Sequence, residues 1–140
     1  MVKSHQQGSV LVRIVIIVIV FCLLVGGGFF LINNEKAKTR DARRLSDMAR
    51  IQAAFEFLFN DTASYEGAAN HGCDTKGSLV SQCNLKTYLP SIASFKDPGK
   101  YRYSISTVPS DESYAVSFTL EKSYGTLRAG AHFLTPQGIK

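Results

Sequence analysis

Residues 14–32 run for nineteen positions without a charged or strongly polar side chain. As a helix this run reaches about 28 Å, close to the hydrocarbon thickness of a bilayer. A polar leader of eight residues stands before Ser9, and a charged sequence of helical character follows the run with no linker. The first proline is Pro90, and no helix breaker lies between Phe29 and Asp61. Further along, Leu45, Met48, Ile51, Phe55 and Leu58 recur at intervals of three and four, which predicts one apolar stripe on a helix ending near Asn60. Charges occupy its other faces, with Asp47 at helical spacing from Arg43, Arg44 and Arg50. Residues 33–44 lie before the stripe and are read as an exposed or subunit-facing neck.

Beyond Asn60 the pattern changes. Asn60, Asp61, Thr62 and Ser64 favour a helix end, because their side chains bond nearby backbone. Residues 66–84 are rich in Gly, Asn and Ser and predict a loop; residues 85–89, followed by Pro90, predict one short helix. Three alternating runs come next. Tyr101, Tyr103 and Ile105 alternate with polar residues, as do Tyr114, Val116, Phe118 and Leu120. In the weaker third run Leu127, Ala129, Ala131 and Phe133 form the expected inner set. Their short connections predict an antiparallel meander, and the stripe on the helix is the natural cover for its apolar face. The expected fold class is therefore α+β: a long N-terminal helix packed on a small antiparallel sheet. The expected divisions are a leader at 1–8, a transmembrane helix at 9–33, an amphipathic helix at 34–60 and a globular head at 61–140, with loop 66–84 and sheet 101–134.

Charge sharpens this division. The formal net charge is +5, but residues 1–32 contribute +2, residues 33–50 contribute +3, and residues 51–140 sum to zero. A neutral head argues against nucleic acid as a partner. Lys36, Lys38, Arg40, Arg43 and Arg44 point instead to phospholipid headgroups or acidic neighbours. By charge count alone, these five would hold the head on the cytoplasmic side. Cys22 falls inside the apolar run. Cys73 and Cys83 lie ten apart; outside the cytoplasm such a pair forms a disulfide by default. The rival is a metal site of His71, Cys73, Asp74 and Cys83, whose spacing fits no standard zinc pattern. Residues 29–32 carry the apolar run past the small residues Gly26, Gly27 and Gly28, so the segment reads as a retained anchor rather than a cleaved secretory signal.

A leader ending in Gly8, an apolar helix directly after it and a helix-plus-meander head together resemble type IV pilins and type II secretion pseudopilins. The stretch RDARRLSDMARIQAAFEFLFNDTASY at 40–65 is similar to the spine segment of small bacterial pilin-like proteins. Tyr88-Leu89, Asp97-Pro98 and the ending LTPQGI at 134–139 sit where those proteins carry a short helix, an Asp-Pro turn and their C-terminus. The resemblance implies a prepilin peptidase that cuts after Gly8, N-methylation of Ser9, and assembly with copies of itself or other pilins through the N-terminal helix. It also implies a stay in the lipid bilayer before assembly and an extracytoplasmic head, against the count of basic residues. A helix from Ser9 to Asn60 would reach about 78 Å. Gly26, Gly27 and Gly28 fall where such stems are weakened or unwound, although close packing in membranes explains them equally. Family members commonly carry phenylalanine after the cut and glutamate five residues past the glycine. Ser9 and Arg13 depart from both, which favours a minor or tip-like subunit.

No phosphate loop, nucleophile elbow or metal-ligand helix occurs, and His5, His71 and His132 stand at no recognisable spacing from a nucleophile. The expectation is no enzyme, no catalytic residue, no cofactor, no bound metal and no small-molecule substrate. Asp97, Asp111 and Glu112 are acidic turn residues that could bind calcium, but simple solvation is the preferred reading. The function expected is a structural subunit of a type IV pilus or secretion-like filament. The alternative is an unprocessed, single-pass anchored protein with an extracytoplasmic binding domain.

Overall fold

The computed structural model describes residues 10–140; residues 6–9, Phe29 and Phe30 are given as helical backbone only. The expected leader at 1–8 and its processing pair, Gly8 and Ser9, thus lie outside the described residues. The elements are helix α1 (Gln6–Thr62) and strands β1 (Ser104–Thr107), β2 (Ala115–Leu120), β3 (Gly130–Thr135) and β4 (Gly138–Ile139), with three short 3-10 turns between helix and sheet. The chain divides into two compact units, Met1–Lys36 and Ala37–Lys140.

In the first unit, every described large apolar side chain from Val10 to Val25 is exposed, none by less than 48%. A helix apolar all round buries its surface in lipid or against other helices rather than in water. Among the described residues one helix is long and apolar enough to cross a membrane.

The second unit is α+β, a helix on a four-stranded antiparallel sheet of order β1-β2-β3-β4. Met48, Ile51, Ala54, Phe55 and Leu58 of α1 bury their side chains among Tyr103, Ile105, Tyr114, Val116, Phe118, Leu120 and Leu134. Phe55 stacks on Tyr114 with ring centres 3.9 Å apart. Val80, Leu85, Leu89, Ile92 and Phe95 complete the core from the connecting segment. The helix outlasts its expected end at Asn60 by two residues and stops where Ala63 takes a left-handed φ of 56°. There the Ala63 amide bonds the Phe59 carbonyl at 2.7 Å, closing the last turn.

Three expectations for this unit need correction. Residues 85–89 form a hydrogen-bonded turn, with the Leu89 amide on the Leu85 carbonyl at 2.7 Å, rather than a helix. The third strand faces the other way. Its register sets Leu134 opposite Val116 and His132 opposite Phe118, so these point to the core, while Ala131 and Phe133 point outward. A strand's side chains alternate strictly, so a phase error of one residue exchanges its two faces. The strand runs to Thr135, one residue past the expected end of the sheet at 134, and returns through β4, which the sequence pattern did not indicate. Lastly, the expected neck at 33–44, exposed or subunit-facing, is tied to the folded unit on one side: Ala37, Asp41 and Arg44 are buried at 5%, 1% and 0% exposure, while Lys38, Thr39, Ala42 and Arg43 are exposed.

Candidate functional site

The stripe on α1 continues backward past Met48. Ala37, Asp41, Arg44, Met48, Ile51, Phe55 and Leu58 follow intervals of four and three, and all are buried. Spacing therefore places Asp41 and Arg44 on the face that meets the sheet. Sequence reading missed them because it followed hydrophobicity, and the stripe changes from apolar to charged at Arg44. The signal available was the phase of the spacing.

At the centre of this charged half, the Arg44 guanidinium makes four bonds. Its Nε and Nη2 donate to Oδ2 and Oδ1 of Asp97 at 2.5 and 2.8 Å, the forked geometry that suits guanidinium and carboxylate. Its Nη1 donates to Asp41 Oδ1 and Glu121 Oε1, both at 2.7 Å. Arg40 adds a second fork, with Nε and Nη2 on Glu121 at 2.7 and 2.5 Å. Backbone amides finish the network. Asp41 accepts from Glu121 N at 2.9 Å and Lys122 N at 2.7 Å, and Asp97 Oδ1 accepts from Gly99 N at 2.7 Å and Tyr101 N at 3.2 Å. The Tyr101 ring lies 5.2 Å from the Arg44 guanidinium carbon. Next to the cluster, the Tyr103 hydroxyl, just before β1, donates to Asp47 at 3.0 Å.

Gly99 makes room for this arrangement. A Cβ there would stand 3.0 Å from Arg44 Nη2 and 3.3 Å from Asp97 Oδ1. The forked bonds from Arg40, helped by Arg44, hold the Glu121 carboxyl down at about 2 against the opposing effect of burial. Burial pushes the Asp97 carboxyl up, but the Arg44 and Gly99 bonds outweigh it and leave the group below its ordinary value. Arg44 is raised by its bonds to Asp97. Burial and the neighbouring Asp47 raise Tyr103. Arg44, Asp97 and Glu121 are thus held in their charged forms, and Tyr103 in its neutral form, around neutral pH.

The other candidate residues fall in separate places. Cys73 and Cys83 form a disulfide, and both are buried, which removes the two thiols from the rival metal site. The adjacent Gly72 is required by space: a Cβ would stand 1.8 Å from the Gln82 carbonyl oxygen. Asp97 is taken up by Arg44, whereas Asp111 accepts from the Ser64 hydroxyl at 2.9 Å. Among the described residues no group of three or more His, Cys, Asp or Glu side chains is arranged to hold a metal ion. His132 lies on β3 with Nε2 2.7 Å from the Arg128 carbonyl, and His71 is exposed on the disulfide loop. Within the first unit Arg13 is exposed, as is the free Cys22. Gly26, Gly27 and Gly28 are helical, and a Cβ at any of them would meet open space.

What this arrangement offers is two surfaces of different kind: an apolar helix with its side chains open, and a unit locked internally by ion pairs and a disulfide. No family model, no curated protein and no solved structure matches the chain.

Proposed function

We propose that the chain is a pilin-like structural subunit, of the minor kind, in a type IV pilus or type II secretion-like filament. The observation that carries this reading is the helix of the first unit, whose described apolar side chains are all exposed. Such a surface has two stable destinations, lipid and the equivalent helices of other subunits, and a filament subunit uses them in turn. The disulfide supports a folded unit on the extracytoplasmic side. Two of the five basic residues that argued for the opposite orientation, Arg40 and Arg44, are consumed by Glu121, Asp41 and Asp97. In this reading a prepilin peptidase cuts after Gly8, Ser9 becomes the methylated terminus, and the subunit passes from the cytoplasmic membrane into a surface filament. Its partners are copies of itself or other pilins. It has no catalytic role.

The second reading, a permanently anchored protein with an extracytoplasmic binding domain, is favoured by Arg13. An arginine close to the end of an apolar span reaches the headgroup level and suits lasting residence in a bilayer. Mass spectrometry of the mature terminus, in cells with and without the peptidase, separates the two. A chain starting at methylated Ser9 and recovered in sheared surface fractions supports the filament. An unprocessed terminus held in membranes overturns it.

A further inference from the structure

Residues 37–47 bury Ala37, Asp41, Arg44 and Asp47, whereas residues 48–58 bury Met48, Ile51, Ala54, Phe55 and Leu58. Three turns of one helix are therefore fastened to the sheet almost wholly by charge, and the next three almost wholly by apolar contact. We infer that residues 37–47 are a proton-released arm: a latch of ion pairs holds them at neutral pH, and acid frees them while the remainder of the unit stays folded.

The geometry carries this. The latch joins three segments through five side chains: Arg40, Asp41 and Arg44 from the helix, Asp97 from the loop before β1, and Glu121 just after β2. The other charged or titratable groups facing it are Asp47 of the helix, Lys100 and Tyr101 of the loop, Tyr103 before β1, and Lys122 beside Glu121. With all carboxylates ionised, the five members sum to −1. Protonating Asp41, Asp97 and Glu121 leaves +2, from two guanidinium groups one helical turn apart, Arg44 being fully buried. A buried charge that loses its partners is strongly unfavourable, and water becomes the better host. Opening the arm brings Arg44 to water, and among the arm's own buried or partly buried side chains only Ala37 and Leu45 are apolar. No titratable side chain lies among the buried residues of 48–58, so proton uptake does not act on that half directly.

The depressed carboxyls set the direction. A carboxyl whose pKa is lowered by folding stabilises above its unfolded value and ceases to do so as pH falls through the folded one. For Glu121 that window runs from 4.5 down to about 2. The inference rests on the proposed function only for its use: an acid-sensitive segment at the start of the folded unit of a filament subunit.

Hydrogen exchange of the full-length chain in detergent micelles tests it. The variants Glu121→Gln and Asp97→Asn imitate protonation at neutral pH. Each is expected to bring amides at 41–47 close to their unprotected rates while those of 52–62 and of β2 keep protection of at least tenfold. The unaltered chain is expected to show the same pattern at pH 1.5 relative to pH 5, after correction for intrinsic exchange. Protection retained at 41–47 overturns the inference. So does protection that vanishes from both halves together, because the cluster would then be an inseparable part of the core. These readouts are independent of whether residue 8 is cleaved or a filament forms.

Discussion

Residues 37–47 and 48–58 of α1 lie in the same folded unit, continue one spacing, and are held by opposite chemistry. In the second stretch Phe55, Met48 and Ile51 are interchangeable in kind, and each contributes in proportion to the surface it buries. The first stretch works differently. Arg44 serves three carboxylates at once, and each of those is also tied to Arg40 or to backbone amides, so one missing partner leaves the rest unmatched. A stripe can thus keep its phase while its chemistry changes from graded to all-or-none. Only the charged half is also sensitive to protons.

The sharpest way to break this comparison sets Arg44→Leu against Phe55→Ala. Both are expected to destabilise by about 3–5 kcal/mol at pH 7, the one by stranding buried carboxylates and the other by opening a cavity. They should part in acid. Folding lowers the pKa of Asp97 and Glu121, so the stability they provide is present above the ordinary carboxyl range and fades as pH falls from it toward the folded values. The cost of Arg44→Leu is therefore expected to shrink toward pH 3, while that of Phe55→Ala holds. Urea titrations of the full chain in detergent at the two pH values read this directly, and equal shrinkage in both would refute the distinction.

A smaller effect is expected where neither half is touched. Removing the disulfide with Cys73→Ala and Cys83→Ala should cost about 2–3 kcal/mol through the lost restraint on the unfolded chain. Its two sulfurs pack within the core reached by 48–58, and none of the latch residues contacts them in any bond described above. Exchange at 41–47 should accordingly stay as it is, and a selective loss there would show the latch leaning on the loop. Smallest is Ala63→Gly. Ala63 holds a left-handed φ of 56°, which disfavours any side chain with a Cβ. Glycine relieves this but gives up more freedom on folding, so a net gain of about 0.5–1 kcal/mol is expected. Thermal melting should register it as a slightly raised midpoint.

Much of the fold was legible because its signals are local. The stripe from Met48 to Leu58, the strands around Ile105 and Val116, and the paired cysteines each announced themselves by spacing or residue type. The third strand was not legible, since Ala131 and Phe133 look at least as apolar as His132 and Leu134, and pairing with β2 alone selects the inner pair. The neck was misread for a related reason: Arg44 and Asp41 look like solvated charges until Asp97 and Glu121, 53 and 77 residues away from Arg44, are brought beside them.

Sequence alone determined that one apolar helix precedes a small α+β unit, because helical and strand periodicities are written in neighbouring residues. It determined, too, that the apolar run is long enough for a bilayer, since that depends only on rise per residue. The tertiary structure alone decided which charges are buried and which strand face is inner. Those outcomes depend on partners distant in the chain, and a carboxylate's environment, unlike its identity, exists only once the chain has folded around it.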